Sequence, residues 1–165
     1  LYKNGMLDKL EQFIEERQEP ELFKWWAQYN ESKNNIEEAL NYYQRAEDNA
    51  SLVRLFILNK DFNSAMQAAL ETQDTAAYFY LACSLEEMGN IKEAIQYYSK
   101  SQRFYHAVRL AQENHFDNDV FQIAKGSNNK KVMLQCAEYF EKRNRLEQAV
   151  ILFDKGGNTK RAMNI

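Results

Sequence analysis

The side chains that most often carry chemistry are sparse in this chain, and their spacing fits no catalytic or metal-binding motif. The two histidines, His106 and His115, have no cysteine or carboxylate at metal-ligand spacing around them, so no zinc signature is present. The sequence also lacks a phosphate-binding glycine loop, a nucleophile elbow and a zinc-protease motif. We therefore predict no catalytic, cofactor-binding or metal-ligating residue, and no cofactor.

One acidic run, Asp117-Asn118-Asp119, superficially resembles the start of a calcium-binding loop. It lacks the glycine and the closing glutamate of an EF-hand, and it continues directly into Val120 and Phe121. An aspartate just before an apolar run commonly caps a helix. We therefore interpret Asp117 as a helix cap.

Pairs of adjacent aromatic residues are the better candidates for a binding surface. Successive side chains on a helix point about 100° apart, so both members of a pair cannot face the same core. One member must face a second helix layer, solvent or a partner. We predict Trp25 and Tyr42 as the less buried members of their pairs, and Tyr97 as a third candidate interface residue.

An internal repeat of 55 residues indicates which elements carry these side chains. Alanines recur at this interval in two series, Ala27, Ala82 and Ala137, and Ala39, Ala94 and Ala149. A small residue lets two helices approach closely where they cross, so we assign these alanines to helix crossings of the repeat. The two cysteines, Cys83 and Cys136, adjoin alanines of the first series and are interpreted as small buried residues in a reducing compartment.

Each repeat is predicted to form four short helices, the first set at about 20–31, 35–47, 50–59 and 61–72. Loops of a few residues force antiparallel neighbours. The predicted fold class is therefore all-α, a tetratricopeptide-like (TPR-like) α-solenoid of antiparallel helical hairpins with a 55-residue double-hairpin period. We expect one continuous solenoid, with the end of a preceding unit at 1–19, units at 20–74 and 75–129, and a partial third unit at 130–165.

Composition supports this class and excludes some partners. Hydrophobic residues make up 45% of the chain, and a single proline with five glycines favours helices. The 21 basic and 24 acidic residues give a net charge of −3, so the chain lacks the excess positive charge that is typical of nucleic-acid-binding proteins. No apolar run approaches the roughly 20 residues of a membrane span. We expect neither a nucleic-acid partner nor a transmembrane segment.

Several segments also resemble a known family. The most particular is the double-tryptophan run Phe23-Lys24-Trp25-Trp26-Ala27-Gln28-Tyr29, to which Ala39-Leu40-Asn41-Tyr42-Tyr43 and Ala107-Val108-Arg109-Leu110 add. From about residue 20 to its end, the chain resembles the repeat region of the WD40-plus-TPR subunits of intraflagellar transport complex A (IFT-A).

The resemblance implies a non-catalytic scaffold of a ciliary transport train. Its partners would be other IFT-A subunits, transport adaptors and cargo within a hetero-oligomeric complex. It would act in retrograde transport and in the entry of membrane proteins into the cilium, and it would be cytoplasmic, cytoskeleton-associated and found at the cilium and ciliary base. The resemblance also implies amino-terminal WD40 propellers outside this segment. We expect a longer parent protein because the chain starts at Leu1 and ends at Ile165 within the third unit.

Two other binding modules have the same repeat architecture. A vesicle-coat or tethering subunit would differ from this chain in its flanking domains and its partners. A TPR domain that clamps carboxylate tails would repeat basic residues on its first helices, whereas this chain has only Lys24 there in the first unit, and Glu86 and Glu87 in the second. The vesicle-coat alternative stays open, and the clamp is disfavoured.

Overall fold

The computed structural model describes residues 2–165, which form twelve α-helices and no β-strand. In chain order the helices are α1 (Tyr2–Arg17), α2 (Pro20–Ser32), α3 (Ile36–Arg45), α4 (Asn49–Leu58), α5 (Phe62–Thr72), α6 (Thr75–Glu87), α7 (Ile91–Lys100), α8 (Phe104–Glu113), α9 (Asp117–Gly126), α10 (Lys130–Lys142), α11 (Leu146–Lys155) and α12 (Thr159–Met163).

The helices recur at the predicted interval. Helices α2, α6 and α10 begin at Pro20, Thr75 and Lys130, which are 55 residues apart, and the helices that follow them keep the same spacing. The bounds predicted for the first unit lie within two residues of those observed for α2 to α5. The all-α, TPR-like solenoid class and its 55-residue period are therefore confirmed.

The chain divides into two compact parts, residues 1–80 and 81–165. In the first part α1 packs on α2, α2 on α3, α3 on α4 and α4 on α5. In the second part the helices from α7 to α12 pack in succession, and α10 also contacts α8 while α9 contacts α11. Unit boundaries at 20–74, 75–129 and 130–165 within one continuous solenoid stay a proposal.

The alanines of the repeat lie where helices pack most closely. Each of the six has no exposed surface: Ala27, Ala39, Ala82, Ala94, Ala137 and Ala149. In residues 1–80, Ala27 and Ala39 belong to a core with the aromatic rings of Phe23, Trp26 and Tyr43. A methyl group beside large rings lets α2 and α3 approach while the rings fill the remaining volume.

Most helix ends close in the same way, around one residue with left-handed backbone. At the end of α4, Lys60 has φ 60°, and the amide of Asp61 donates to the carbonyl of Phe56 at 2.9 Å. This bond defines a Schellman motif, and it also closes α2, α3, α6, α7, α8, α10 and α11. Among the described residues, glycine occupies the left-handed position only at Gly89 and Gly157.

Replacing Lys60 by glycine is expected to raise the free energy of unfolding by about 0.5–1 kcal/mol, because glycine adopts this conformation without the steric cost of a β-carbon. Urea denaturation followed by circular dichroism measures the difference. Asn59→Gly is the matched control, since Asn59 has φ −82° and glycine there only increases the entropy of the unfolded chain. A Lys60→Gly protein as destabilised as the control would contradict the prediction.

Candidate interaction surface

Trp25 is the one predicted interface residue that the structure leaves at the surface. It lies on α2, whose opposite face buries Phe23, Trp26 and Ala27. The Trp25 side chain is 48% exposed, and its ring stacks on that of Tyr29, one helical turn further on, at 6.4 Å between centroids. Trp25 thus presents a large aromatic surface on a helix that the core holds in place.

A cavity of about 370 Å³ is lined by the two rings that neighbour Trp25, those of Trp26 and Tyr29, and not by Trp25 itself. One wall is the stacked pair Trp26 and Tyr29, whose centroids are 5.0 Å apart, and the Lys33 ammonium lies 5.8 Å from the centre of the Tyr29 ring. The residues that line the cavity are Leu7, Glu11, Trp26, Tyr29, Asn30, Lys33, Asn35 and Glu38. Aromatic, charged and amide groups together are typical of a protein–protein contact. We call Trp25, Trp26 and Tyr29 the aromatic stack.

Tyr42 is buried, so the prediction that it is the less buried member of its pair is wrong. Its side chain is 1% exposed, and its single hydroxyl proton is shared between two carboxylates of α1, Glu11 at 3.0 Å and Glu15 at 2.9 Å. The neighbouring Tyr43 points toward α2, where its hydroxyl donates to Glu31 at 2.6 Å. The two rings do diverge as helix geometry requires, but α1 occupies the second direction in place of solvent.

Arg45 completes the cluster around Tyr42. Its guanidinium donates to Glu15 at 2.6 Å and lies 4.4 Å from the centre of the Phe23 ring. Hydrogen bonds from Arg45 hold the pKa of Glu15 below its usual value. Burial, and then the hydrogen bonds to Glu15 and Glu11, raise the pKa of Tyr42. This cluster joins α3 to α1 and leaves Tyr42 no role at a surface.

Tyr97 is also buried, which corrects its assignment as an interface residue. It is 6% exposed, and the Lys100 ammonium lies 5.3 Å from the centre of its ring. Its neighbour Tyr98 is 2% exposed and donates to Glu86 at 2.5 Å. The sequence indicated that the two rings point in different directions, but it did not indicate that both rings are buried.

A glutamate clamp, which sequence analysis missed, joins three helices in residues 1–80. Glu31, in the last turn of α2, accepts from both terminal nitrogens of Arg54 on α4, at 2.7 and 2.9 Å, and from Tyr43 on α3. The equivalent clamp in residues 81–165 consists of Glu86, which accepts from Arg109 at 3.1 Å and from Tyr98. The same residue types recur 55 positions after Glu31, Tyr43 and Arg54. This recurrence was the signal that could have revealed the clamp.

The third copy of the clamp keeps the glutamate and replaces its partners. Phe153 stands where the tyrosine would, and Asn164 where the arginine would. Arg161, one turn earlier on the last helix, donates to Glu141 at 2.9 Å and lies 5.0 Å from the centre of the Phe153 ring. The ion pair is thus preserved by an arginine from a different position.

Acid is expected to destabilise the chain through the clamps. Hydrogen bonds from Arg54 hold the pKa of Glu31 below the ordinary value of 4.5. Burial alone would raise the pKa of Glu86, but hydrogen bonds from Tyr98 and Arg109 outweigh it and lower the pKa. A carboxyl group whose pKa is lower in the folded state than in the unfolded state stabilises the fold at pH values above its unfolded-state pKa. This stabilisation is lost as the pH falls through its folded-state pKa.

We therefore expect the melting temperature to decrease as the pH falls through 4.5 and below. Thermal melts followed by circular dichroism across this range measure the decrease. A Glu31→Gln protein should start less stable at neutral pH and show a shallower decrease. Parallel curves for the two proteins would show that Glu31 does not contribute to the acid sensitivity.

Asp117 is not a helix cap, which corrects its interpretation from the sequence. Helix α9 begins at Asp117, and Phe116 occupies the capping position. The Asp117 carboxylate accepts from the Tyr139 hydroxyl at 2.8 Å and pairs with Arg143 and Arg145 at 3.3 and 3.5 Å. Burial, and then this hydrogen bond, raise the pKa of Tyr139 to about 12. Asp117 therefore fixes the start of α9 to the loop between α10 and α11.

The other reactive side chains serve packing. Cys136 is fully buried, and burial raises the pKa of its thiol to about 12. Cys83 is only half-buried, and its sulfur lies 3.6 Å from the Tyr98 hydroxyl oxygen. His106 stacks on Tyr98 at 5.3 Å between centroids. Within the part of the chain that the structure describes, no three His, Cys, Asp or Glu side chains are arranged to hold a metal ion.

These features define a class of protein. Antiparallel helical hairpins in a regular repeat form a TPR-like domain, and such domains are typically non-catalytic scaffolds that bind other proteins. A sequence model of the TPR domain of IFT140 and IFT172 matches residues 5–165, and the chain belongs to this family. Membership indicates a scaffold of intraflagellar transport that associates with the cilium and makes protein–protein contacts in a transport complex. None of the helices in residues 2–165 has the length and apolar character required to cross a membrane.

Proposed function

We propose that the chain is a non-catalytic scaffold segment of an IFT-A subunit, acting in retrograde ciliary transport and in the entry of membrane proteins into the cilium. The subunit most like it would be IFT140, the first of the two proteins after which the family is named. The double-tryptophan run of α2, the most particular segment of the resemblance to IFT-A, supports this proposal. The partners would be other IFT-A subunits, adaptors and cargo, in the cytoplasm at the cilium and ciliary base and in association with the cytoskeleton.

The exposure of Trp25 is the single observation that supports a role in binding a protein partner. A half-exposed tryptophan on a helix costs solvation free energy that a partner would recover by covering it. Its orientation is set by Tyr29 on one side and by the buried face of α2 on the other, so little side-chain entropy would be lost on binding. Trp25 therefore has the properties of an anchor for a protein partner.

The test is affinity purification of the parent protein from ciliated cells, with the wild-type sequence and with Trp25→Ala. We expect recovery of IFT-A subunits with the wild type, and a loss of at least one of them with Trp25→Ala, corresponding to about tenfold weaker binding or more. Tyr105→Ala is the matched control, since Tyr105 is 59% exposed on α8 and should leave recovery unchanged.

Three results would contradict parts of the proposal. Recovery of vesicle-coat or tethering subunits would replace the ciliary role by the alternative that the repeat pattern left open. Recovery of another intraflagellar transport complex would remove the assignment to IFT-A. Full recovery of IFT-A subunits with Trp25→Ala would retain the scaffold and exclude Trp25 as its anchor.

A further inference from the structure

Five lysines lie at one end of helices α9 to α12, in residues 81–165. We call them the lysine cluster: Lys125, Lys130, Lys131, Lys155 and Lys160. The short loop after α10 makes α10 and α11 antiparallel, so the start of α10 lies beside the end of α11. The close contact there shows this directly, since a β-carbon on Gly156 would lie 2.8 Å from Cδ2 of Leu134.

The other two helices reach the same end. Asp117 pairs with Arg143 and Arg145, which brings the start of α9 to the opposite end of the hairpin. Helix α9 therefore runs toward the start of α10, and Lys125 lies in its last turn. Helix α12 begins a few residues after α11 ends, which places Lys160 near Lys155.

In this region the arginines form ion pairs with carboxylates, whereas the five lysines do not. Arg143 and Arg145 bind Asp117, and Arg161 binds Glu138 and Glu141. All five lysines of the cluster are exposed, and none has a carboxylate of the described residues within ion-pair distance. Within 125–131 and 154–160, the five lysines are balanced by a single acidic residue, Asp154.

The lysine cluster is the source of the positive charge of residues 81–165, since without its five lysines 8 basic residues would face 10 acidic ones. Residues 81–165 contain 13 Lys and Arg against 10 Asp and Glu, a net charge of +3, whereas residues 1–80 contain 8 against 14, a net charge of −6. Lysines close together with no counter-charge repel one another, which opposes folding. A negatively charged partner would remove this repulsion, and its own charges would attract the lysine ammonium groups.

We propose that the lysine cluster is a second interaction surface, which binds an acidic segment of a partner protein rich in glutamate and aspartate. Lysine ammonium groups are hydrated point charges on flexible stems, so they suit carboxylates on a segment that need not present one fixed geometry. Such a contact accelerates association and depends strongly on salt. The cluster does not include Trp25, and the inference holds whichever transport complex the chain serves.

Other anionic partners fit this surface less well. A membrane surface is bound best by cations with apolar side chains beside them. Leu146, an exposed large apolar side chain, lies at the opposite end of the hairpin from the cluster. Met163, the last residue of α12, is exposed one turn from Lys160, and one methionine beside five lysines offers little apolar surface to insert into a membrane. Single-stranded nucleic acid is held by exposed aromatic rings among the cations. The ring that Lys125 contacts, that of Phe121 at 5.8 Å, is half-buried and packs edge-on against Phe140.

The test is the affinity of the full 165-residue chain for a fluorescent polyglutamate peptide, measured by anisotropy at about 50 mM salt and again at about 300 mM. We expect the change of Lys130, Lys131, Lys155 and Lys160 to glutamine to weaken binding about tenfold at the lower salt. The matched control changes Lys9, Lys60, Lys92 and Lys142 to glutamine, which alters the net charge equally, and it should weaken binding by less than about twofold.

Circular dichroism would establish that both variants fold, and the cluster variant should melt no lower than the wild type because repulsion is relieved. Equal weakening in both variants would show that net charge alone binds the peptide. Unchanged binding in the cluster variant would exclude the surface. Tighter binding to phosphatidylserine vesicles or to polyuridine than to the peptide, or a self-association that the cluster variant loses, would assign the cluster to a different partner and overturn the proposal.

Discussion

Ala94→Trp is expected to lower the free energy of unfolding by about 3 kcal/mol or more, the largest effect that we predict for a single substitution. Ala94 has no exposed surface, and its neighbours Ile95, Tyr97 and Tyr98 on α7 are themselves buried. The indole has no volume to enter unless α7 moves away from its neighbours, because protein interiors are close-packed. Since each short helix depends on packing against the next, the displacement should spread along the repeat.

Thermal and urea denaturation of the purified chain measure this effect. Gln96→Trp is the matched control, because Gln96 lies two residues further along α7 with its side chain exposed, and the same indole there should change stability by about 0.5 kcal/mol or less. An Ala94→Trp protein with the wild-type melting temperature would contradict both the burial of this position and its place in the 55-residue register.

Glu31→Ala should lower the free energy of unfolding by about 2–3 kcal/mol. The glutamate accepts three hydrogen bonds in its clamp, from the two terminal nitrogens of Arg54 and from the Tyr43 hydroxyl. The side chains of Glu31 and Arg54 are 23% and 31% exposed, so water could replace the lost contacts only in part. A guanidinium and a hydroxyl would be left without their acceptor between three helices.

A double-mutant cycle with Arg54→Met isolates the pair. We expect a coupling energy of about 1–2 kcal/mol, since Arg54 has lost its acceptor once Glu31 is absent. Glu87→Ala is the charge-matched control, because Glu87 is exposed at the end of α6 and should change stability little. Additive effects of the two clamp substitutions would show that the ion pair contributes nothing to the stability of the fold.

The two proposed surfaces differ in chemistry and therefore in how they would bind. Burying Trp25 would mainly slow dissociation, because the contact is apolar and acts at short range. The lysine cluster would mainly speed association, and its contribution would decline as salt increases. A scaffold with both kinds of surface can hold one partner through the aromatic stack and attract another through charge. The clamps and the Asp117 cluster keep the helices that carry these residues in place.

The sequence by itself determined the repeat and the helices of this chain. Helix bounds follow from local rules, the 3.6-residue period and the residues at turns, which is why the predicted helices of the first unit agree with α2 to α5 within two residues. The burial of Ala39 and Ala94 also follows from local pattern, because both lie on the apolar face of a strongly amphipathic helix. The exposure of Trp25 follows from the same geometry, since Trp26 occupies the core direction.

Only the tertiary structure decided which residues contact the second aromatic ring of each adjacent pair and each charged group. Tyr42 turned out to be buried because α1 supplies Glu11 and Glu15, which lie 31 and 27 residues earlier in the chain. The clamp of Glu31 and Arg54 spans 23 residues, and Asp117 meets Tyr139 across 22. Such partners depend on how separate helices are stacked, and no local period encodes that. Helix formation is a property of neighbours in sequence, whereas the environment of a side chain is a property of neighbours in space.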